Sequence, residues 1–167
     1  MDHSHIVTRF DKDLSEIESL LVEMADLVAK QIRDSAKALQ LGDDKLAKTV
    51  TKNDSKINRL EEKIDDKAIR LIALRQPMAE DLRSAITTLK VSNCLERMGD
   101  YAKTLSYRAR KIDDFSAMKS ILRSIAEMSE KIINMLNVVM EAYVNRDLKK
   151  AHDAREADQE INDRTDA

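Results

Sequence analysis

Tight turns need glycine or proline, and this chain of 167 residues holds two of the first and one of the second. Hairpin-linked sheets are poorly served by that stock, and an aromatic content of 3% with no tryptophan removes much of what strands favour. A single cysteine, Cys94, allows no disulfide within the chain and reads as a small buried residue. No stretch reaches the roughly 18 apolar residues of a membrane span, and no basic-then-apolar secretory signal opens the chain. The expected location is therefore the cytoplasm. Lysine and arginine total 29 against 31 aspartates and glutamates, so the positive field that draws nucleic acid is missing. Also missing are the phosphate loop G-x-x-x-x-G-K-[ST], the dinucleotide loop G-x-G-x-x-G, the zinc helix H-E-x-x-H and the Glu-x-x-His element of di-iron bundles. With no nucleophile set beside a base, the chain reads as a non-enzyme.

What remains is 43% hydrophobic and 36% charged residues in helical rhythm, which predicts one all-α fold, an elongated antiparallel helical bundle. A first helix is marked by Phe10, Leu14, Ile17, Leu21, Met24, Val28, Ile32 and Leu39 and stops at Gly42. Asp43 or Asp44 caps a second, with its stripe at Leu46, Val50, Ile57, Leu60, Ile64, Ala68 and Leu71. Pro77 breaks the chain before a third helix running from about Met78 to Ile112. That helix is apolar on two faces, Leu82, Ile86 and Leu89 on one and Val91, Leu95, Met98, Ala102, Leu105 and Ala109 on the other, and so is the expected central helix. A polar break at Asp113, Asp114 and Ser116 precedes a fourth, whose predicted face is Ile121, Ile125, Met128, Ile132, Leu136, Val139 and Tyr143. A joint at Asn145 to Asp147 leads into a fifth.

Sliding the chain on itself by 104 residues matches Glu23, Met24, Ala38, Asp43, Lys45, Ala47, Asp54, Ile57 and Asn58 with Glu127, Met128, Ala142, Asp147, Lys149, Ala151, Asp158, Ile161 and Asn162. Residues 1–113 thus form a first three-helix repeat, and residues 114–167 a second repeat that holds two helices and lacks its third. The apolar faces left on those two helices predict a homo-oligomer, in the simplest form a dimer.

The sharpest chemical feature is Glu96 and Asp100. At about 100° per residue, Leu82, Ile86, Leu89, Asn93, Glu96 and Asp100 line one stripe of the third helix, so two carboxylates stand where an apolar face should continue. Burying an unpaired carboxylate is costly enough that it shifts its pKa, meets a cation or binds a metal. The i, i+4 spacing puts both within reach of one ion, and Asp54 and Asn58 repeat that spacing on the second helix as candidate facing ligands. Their copies Asp158 and Asn162 are weaker candidates, and Glu23 and Glu127 weaker again. An all-oxygen set suits a hard cation such as Mg²⁺, Mn²⁺, Ca²⁺ or iron. The competing expectation is an ion pair with arginine or lysine from a neighbouring helix. Arg83, Lys90, Arg97 and Arg108 form a column on the third helix, and Arg83 and Arg97 are the candidates for contact with an acidic partner. His3 and His5 read as terminal residues without a site.

The segment RQPMAEDLR at 75–83, followed by LERMGDYA at 95–102, resembles the PhoU family of phosphate-signalling regulators. The tandem three-helix organisation is similar as well. That resemblance implies an all-α regulator acting with the ATPase of a phosphate ABC transporter and with a sensor histidine kinase. It would repress the phosphate-starvation response when phosphate is ample, and would be peripheral to the membrane only through those partners. It also implies that the E-x-x-x-D motif, here Glu96 and Asp100, contributes to a metal site. The family carries a second such motif on a sixth helix, which this sequence does not reach, so the expectation is a carboxy-terminal truncation. Two rival functions are a carboxylate-bridged metalloenzyme built in a helical bundle and a purely structural helical interaction protein.

Overall fold

The computed structural model describes residues 3–112, 115 and 118–165, with side chains for 10–112, 115 and 118–156. Five helices follow in order: α1 His3–Leu41, α2 Asp44–Arg75, α3 Ala79–Ala109, α4 Lys119–Asn145 and α5 Leu148–Thr165. No strand occurs among the described residues, and the fold is an all-α bundle with its helices where the periodicity predicts them. Among the described residues no helix is long and apolar enough to cross a membrane. The repeat boundary after Asp113 lies outside the described residues, as do the side chains of His3 and His5.

The chain divides into two compact units. The first joins Met1–Val28 to Asp54–Asp100, and so takes its helices from α1, α2 and α3. Its interior is built from Ile17, Leu21, Met24 and Val28 of α1, Ile57, Ile64, Ala68 and Leu71 of α2, and Ala85 and Leu95 of α3. Each large side chain buried there contributes about 1.5–3 kcal/mol. The antiparallel register of α1 and α2 is visible in two ion pairs, Lys67 with Glu16 at 2.9 Å and Arg75 with Asp13 at 2.9 Å. Ser92 of α3 donates its hydroxyl to the sulfur of Met24 at 3.8 Å, which sets α3 against α1.

Two predicted faces are displaced in the structure. On α3 the buried line is Ala85, Thr88, Ser92, Leu95, Ala102, Ser106 and Ala109; Leu95, Ala102 and Ala109 come from the second predicted face, whereas the first is a flank: Ile86 is 41% exposed, Asn93 is exposed, and Glu96 and Asp100 are half-buried. Bulk does not choose the face here. Small side chains let neighbouring backbones approach closely, so the line with least volume packs inward. On α4 the buried residues are Leu122, Ser129, Ile133, Leu136, Met140 and Ala142, whereas Ile121 and Val139 are exposed. That helix has apolar residues over a wide arc, and the covered part is shifted to one side of the predicted face, keeping its Leu136, which is buried, and its Ile125, which packs against the core. Cys94, expected to be buried, is exposed.

The second unit joins Ala29–Asn53 to Tyr101–Ala167. Leu39, Ala109 and Leu122 form its buried cluster, with Leu105, Ile112, Phe115, Met118 and Ile125 packed against them. Arg33 of α1 grips Glu130 of α4 through Nε at 2.9 Å and a second nitrogen at 3.1 Å. The two inter-helix turns of this unit are copies of each other, 104 residues apart. Asp43 N donates to Ala38 O at 2.9 Å and Asp147 N to Ala142 O at 2.9 Å. The Asp43 carboxylate accepts from Leu46 N at 2.9 Å, and Asp147 from Lys150 N at 3.0 Å. Each helix is stopped by a left-handed residue, Gly42 at φ 63° and Arg146 at φ 54°, and each following helix is capped by the same aspartate.

Gly42 is held to its identity twice over. Its φ is one that alanine adopts at a cost of about 1–2 kcal/mol, and a Cβ there would meet Phe115 Cε2 at 3.1 Å. Gly42→Ala is expected to lower the unfolding midpoint by several degrees, since about 1 kcal/mol moves a chain of this size by about 2–4 °C. Differential scanning calorimetry reads the change.

Candidate metal centre

Within the first unit, two polar lines run alongside the core stripes of α2 and α3. On α2, Asp54, Asn58, Glu61 and Asp65 recur at intervals of three and four, one step round the helix from Ile57, Leu60 and Ile64. On α3, Asn93, Glu96 and Asp100 stand beside Ser92 and Leu95 in the same way. Because each line flanks a buried stripe, packing the two helices turns both lines toward the same side.

The electrostatics show the two lines meeting. The Asn93 amide donates to the Glu61 carboxylate, and Asp100 raises the Glu61 pKa from across the helix pair. Burial does more than these neighbours: it pushes the Glu61 carboxyl above its ordinary range, with Asp65 and Glu62 adding to the push. Burial also raises Asp65, followed by the charge of Asp66. Glu96 is raised by burial first, then by the charges of Asp100 and Glu61, by a hydrogen bond to Asp100 and by the charge of Asp54. Every charged group that moves Glu96 is another carboxylate. A hydrogen bond between two carboxyls needs a proton between them, and a cation can take that proton's place.

Two further details suit a cation. Asp54 is buried, at 4% exposure, and the Asn58 Oδ1 is a buried acceptor with no donor. Leaving such an oxygen unsatisfied costs about 1–3 kcal/mol, and a metal ion relieves it. The donor set is all oxygen, the preference of Mg²⁺, Ca²⁺, Mn²⁺ and non-haem iron.

Of the residues singled out from sequence, Glu96, Asp100, Asp54 and Asn58 thus fall in one neighbourhood. The side chains of Asp158 and Asn162 lie outside the described residues. Arg83, Lys90, Arg97 and Arg108 are exposed, as is Glu23, and Glu127 pairs with Arg123 at 2.9 Å. Sequence reasoning missed Glu61 and Asp65, although Glu61 is seven residues past Asp54 and Asp65 four beyond that, the spacing of a continuing stripe. It also missed His152, Asp153 and Glu156 on α5. That exposed trio is the one group among the described residues with ligand atoms already within 4.8 Å of one another. Closing the α2 and α3 carboxylates around an ion therefore takes side-chain rotation.

The family model for the PhoU domain matches residues 21–109 and 125–167, spanning both acidic lines. This chain belongs to the PhoU family. Relatives include the phosphate-specific transport system accessory protein PhoU homolog of Caulobacter vibrioides, 35% identical over 98% of this chain and 71% of that protein. The protein of the same description in Clostridium acetobutylicum is 35% identical over 91% of this chain and 69% of its own length. The crystal structure of PhoU from Pseudomonas aeruginosa superimposes with a TM-score of 0.84 at 30% identity, covering 92% of this chain and 73% of that one. Both PhoU-like segments, 75–83 and 95–102, fall inside the first matched stretch.

Proposed function

We propose that this PhoU-family chain is a non-enzymatic accessory regulator of phosphate transport that restrains the phosphate-starvation response from the cytoplasmic side of the membrane. In this reading it binds the ATPase of a phosphate ABC transporter and a sensor histidine kinase. A hard cation, Mg²⁺, Mn²⁺ or iron, is held between α2 and α3 by Glu96, Asp100, Asp54 and Asn58, with Glu61 beside them. The names of its relatives support the transport role. The observation that carries the metal is the cluster itself, in which Glu96 has only carboxylates acting on its charge and Asn58 Oδ1 has no donor. Exposed apolar side chains on α4 and α5, Ile121, Val139, Val144 and Leu148, support a homodimer.

Capture of the purified transporter ATPase and of the kinase's cytoplasmic domain on the immobilised chain tests the partners. Retention of either is expected, and recovery of neither overturns the adaptor. Light scattering on the same preparation is expected to give the mass of two chains. The metalloenzyme and purely structural alternatives lack an observation of their own.

A further inference from the structure

The face of α2 turned away from the acids carries a second constellation. Lys56, Arg59, Lys63, Lys67 and Arg70 recur at intervals of three or four, which places them within about 80° of one another on the helix. They lie on the opposite flank of the Ile57, Ile64 and Leu71 core stripe from Asp54 to Asp65. This is the flank that borders α1, as the Lys67 pair with Glu16 and the Arg75 pair with Asp13 establish. Lys67 is the one member of the five with an ion pair among the described residues; Lys56, Arg59, Lys63 and Arg70 have none, and all four are exposed. Like charges at helical spacing repel one another; Glu62 and Asp66 stand beside the line, but neither forms an ion pair with it among the described residues.

At its lower end the line runs into a cavity of about 280 Å³ between α1 and α2. Lys67, Arg70 and Arg75 stand on its wall together with Glu16 and Asp13, the acids that pair Lys67 and Arg75, so Arg70 is the cation of that wall without an ion pair among the described residues. Ile17 and Leu71 are buried beneath it, and Leu74 at its edge is 73% exposed. Just beyond, Met78 is 81% exposed in a turn where Gln76 and Ala79 both hold left-handed backbone, at φ 47° and 46°. Non-glycine residues in that region cost about 1–3 kcal/mol each, and the turn holds Met78 out to solvent next to Leu74 at the end of α2. The combination asks for a ligand with acids along one side and an apolar knob at one end. A helix has that form, because its acids repeat at the interval of the cations.

We propose that the basic flank of α2 and the cavity at its carboxy-terminal end form a docking groove for an acidic amphipathic helix of a partner protein. An apolar side chain of that helix seats against Leu71 and Leu74, and its carboxylates lie opposite Arg70, Lys63 and Arg59. A concave seat with an apolar floor favours a protein segment over a lipid surface. This rests on the adaptor reading above only for the partner's name.

The direct probe is a labelled synthetic helix of about 21 residues, three heptads, with leucine in the seam and glutamate elsewhere, read by fluorescence anisotropy. The wild-type chain is expected to bind it, with affinity falling as salt rises and falling about tenfold or more in Arg70→Glu and in Leu74→Glu. Lys90→Glu on α3 should bind as wild type does. A lysine-for-glutamate version of the peptide should not bind. No binding, equal binding of both peptides, or unchanged binding by Arg70→Glu overturns the groove. Phosphatidylglycerol vesicles serve as the second arm: retention on them that Arg70→Glu abolishes, without peptide binding, assigns the face to a membrane and overturns it as well. Because Arg70, Leu74 and Lys90 are exposed, unfolding midpoints should match wild type and certify that the variants fold. Should the peptide bind while transporter ATPase and kinase do not, the named partners fall and the groove stands. Capture of those partners undiminished by Arg70→Glu and Leu74→Glu would remove the groove and leave the adaptor.

Discussion

Glu96→Ala with Asp100→Ala is expected to leave the purified chain without bound metal, whereas wild type purified without an affinity resin carries it, as elemental analysis by mass spectrometry would show. Removing both carboxylates takes out every α3 carboxylate of a site that has no nitrogen or sulfur donor to fall back on, and Asp54, Asn58 and Glu61, all on one helix, are too sparse a set for a hard cation. Equal metal in both proteins would exclude the α2 and α3 cluster as the site. Because His152, Asp153 and Glu156 are the other cation-binding possibility on the described surface, His152→Ala is the companion control, expected to leave the metal content unchanged.

The metal-free chain carries a pH signature of the same cluster. The Glu61, Asp65 and Glu96 carboxyls are all raised in the folded state, chiefly by burial. A raised carboxyl holds its proton more tightly folded than unfolded, so stability declines as pH climbs. The loss sets in above the ordinary carboxylate range near about 4, and it is complete once pH passes the raised folded value. Glu96→Gln keeps the shape and removes one charge, so the metal-free variant should melt above metal-free wild type at neutral pH, by about 2–4 °C if the relief is near 1 kcal/mol, and should not differ in that sense at acidic pH. Glu130 beside Arg33 and Asp44 beside Lys48 and Arg110 are shifted the other way, but they are exposed and screened. Comparing variant with wild type at each pH cancels them. Adding Mg²⁺ or Mn²⁺ should raise the wild-type midpoint and do little for Glu96→Gln.

The second large effect concerns packing. Ser92→Leu is expected to destabilise the chain by about 1–3 kcal/mol or more, because Ser92 is fully buried with its hydroxyl on the Met24 sulfur at 3.8 Å and has no room for three extra carbons. Ile86→Glu, which places a charge on the stripe that hydropathy would mark as core, should stay within about 0.5 kcal/mol, since Ile86 is 41% exposed. Urea titrations of the two variants decide the matter. A costly Ile86→Glu beside a neutral Ser92→Leu would reverse the assignment of α3's inner face.

How far the sequence could be read follows from that same helix. On α1 and α2 the large aliphatics and the core coincide, so Ile17, Leu21, Ile57 and Ile64 are legible from spacing alone, and the glycine and aspartate of the Gly42 turn announce their roles by chemistry. On α3 Leu95, Ala102 and Ala109 are legible from the spacing of its second apolar face, whereas Thr88, Ser92 and Ser106 of the interior carry no hydropathy signal and Leu82 and Ile86 draw the eye to the other side. Glu96 and Asp100 were therefore found for a partly mistaken reason: they flank a core stripe and do not interrupt one. Glu61 escaped notice because a glutamate among Glu62, Lys63, Asp65 and Asp66 looks like any solvated helix residue until the tertiary fold brings Asn93 to it. The orphaned oxygen of Asn58 is likewise a property of packing that no single sequence displays.

The inward line of α3 has a consequence for how this molecule changes over evolutionary time. Since the spine that fixes the helix is made mostly of small side chains and the acidic line sits off to one side, substitutions that retune or erase the acids need not disturb assembly of the bundle. Descendants of such a chain can lose the acidic line and keep their architecture.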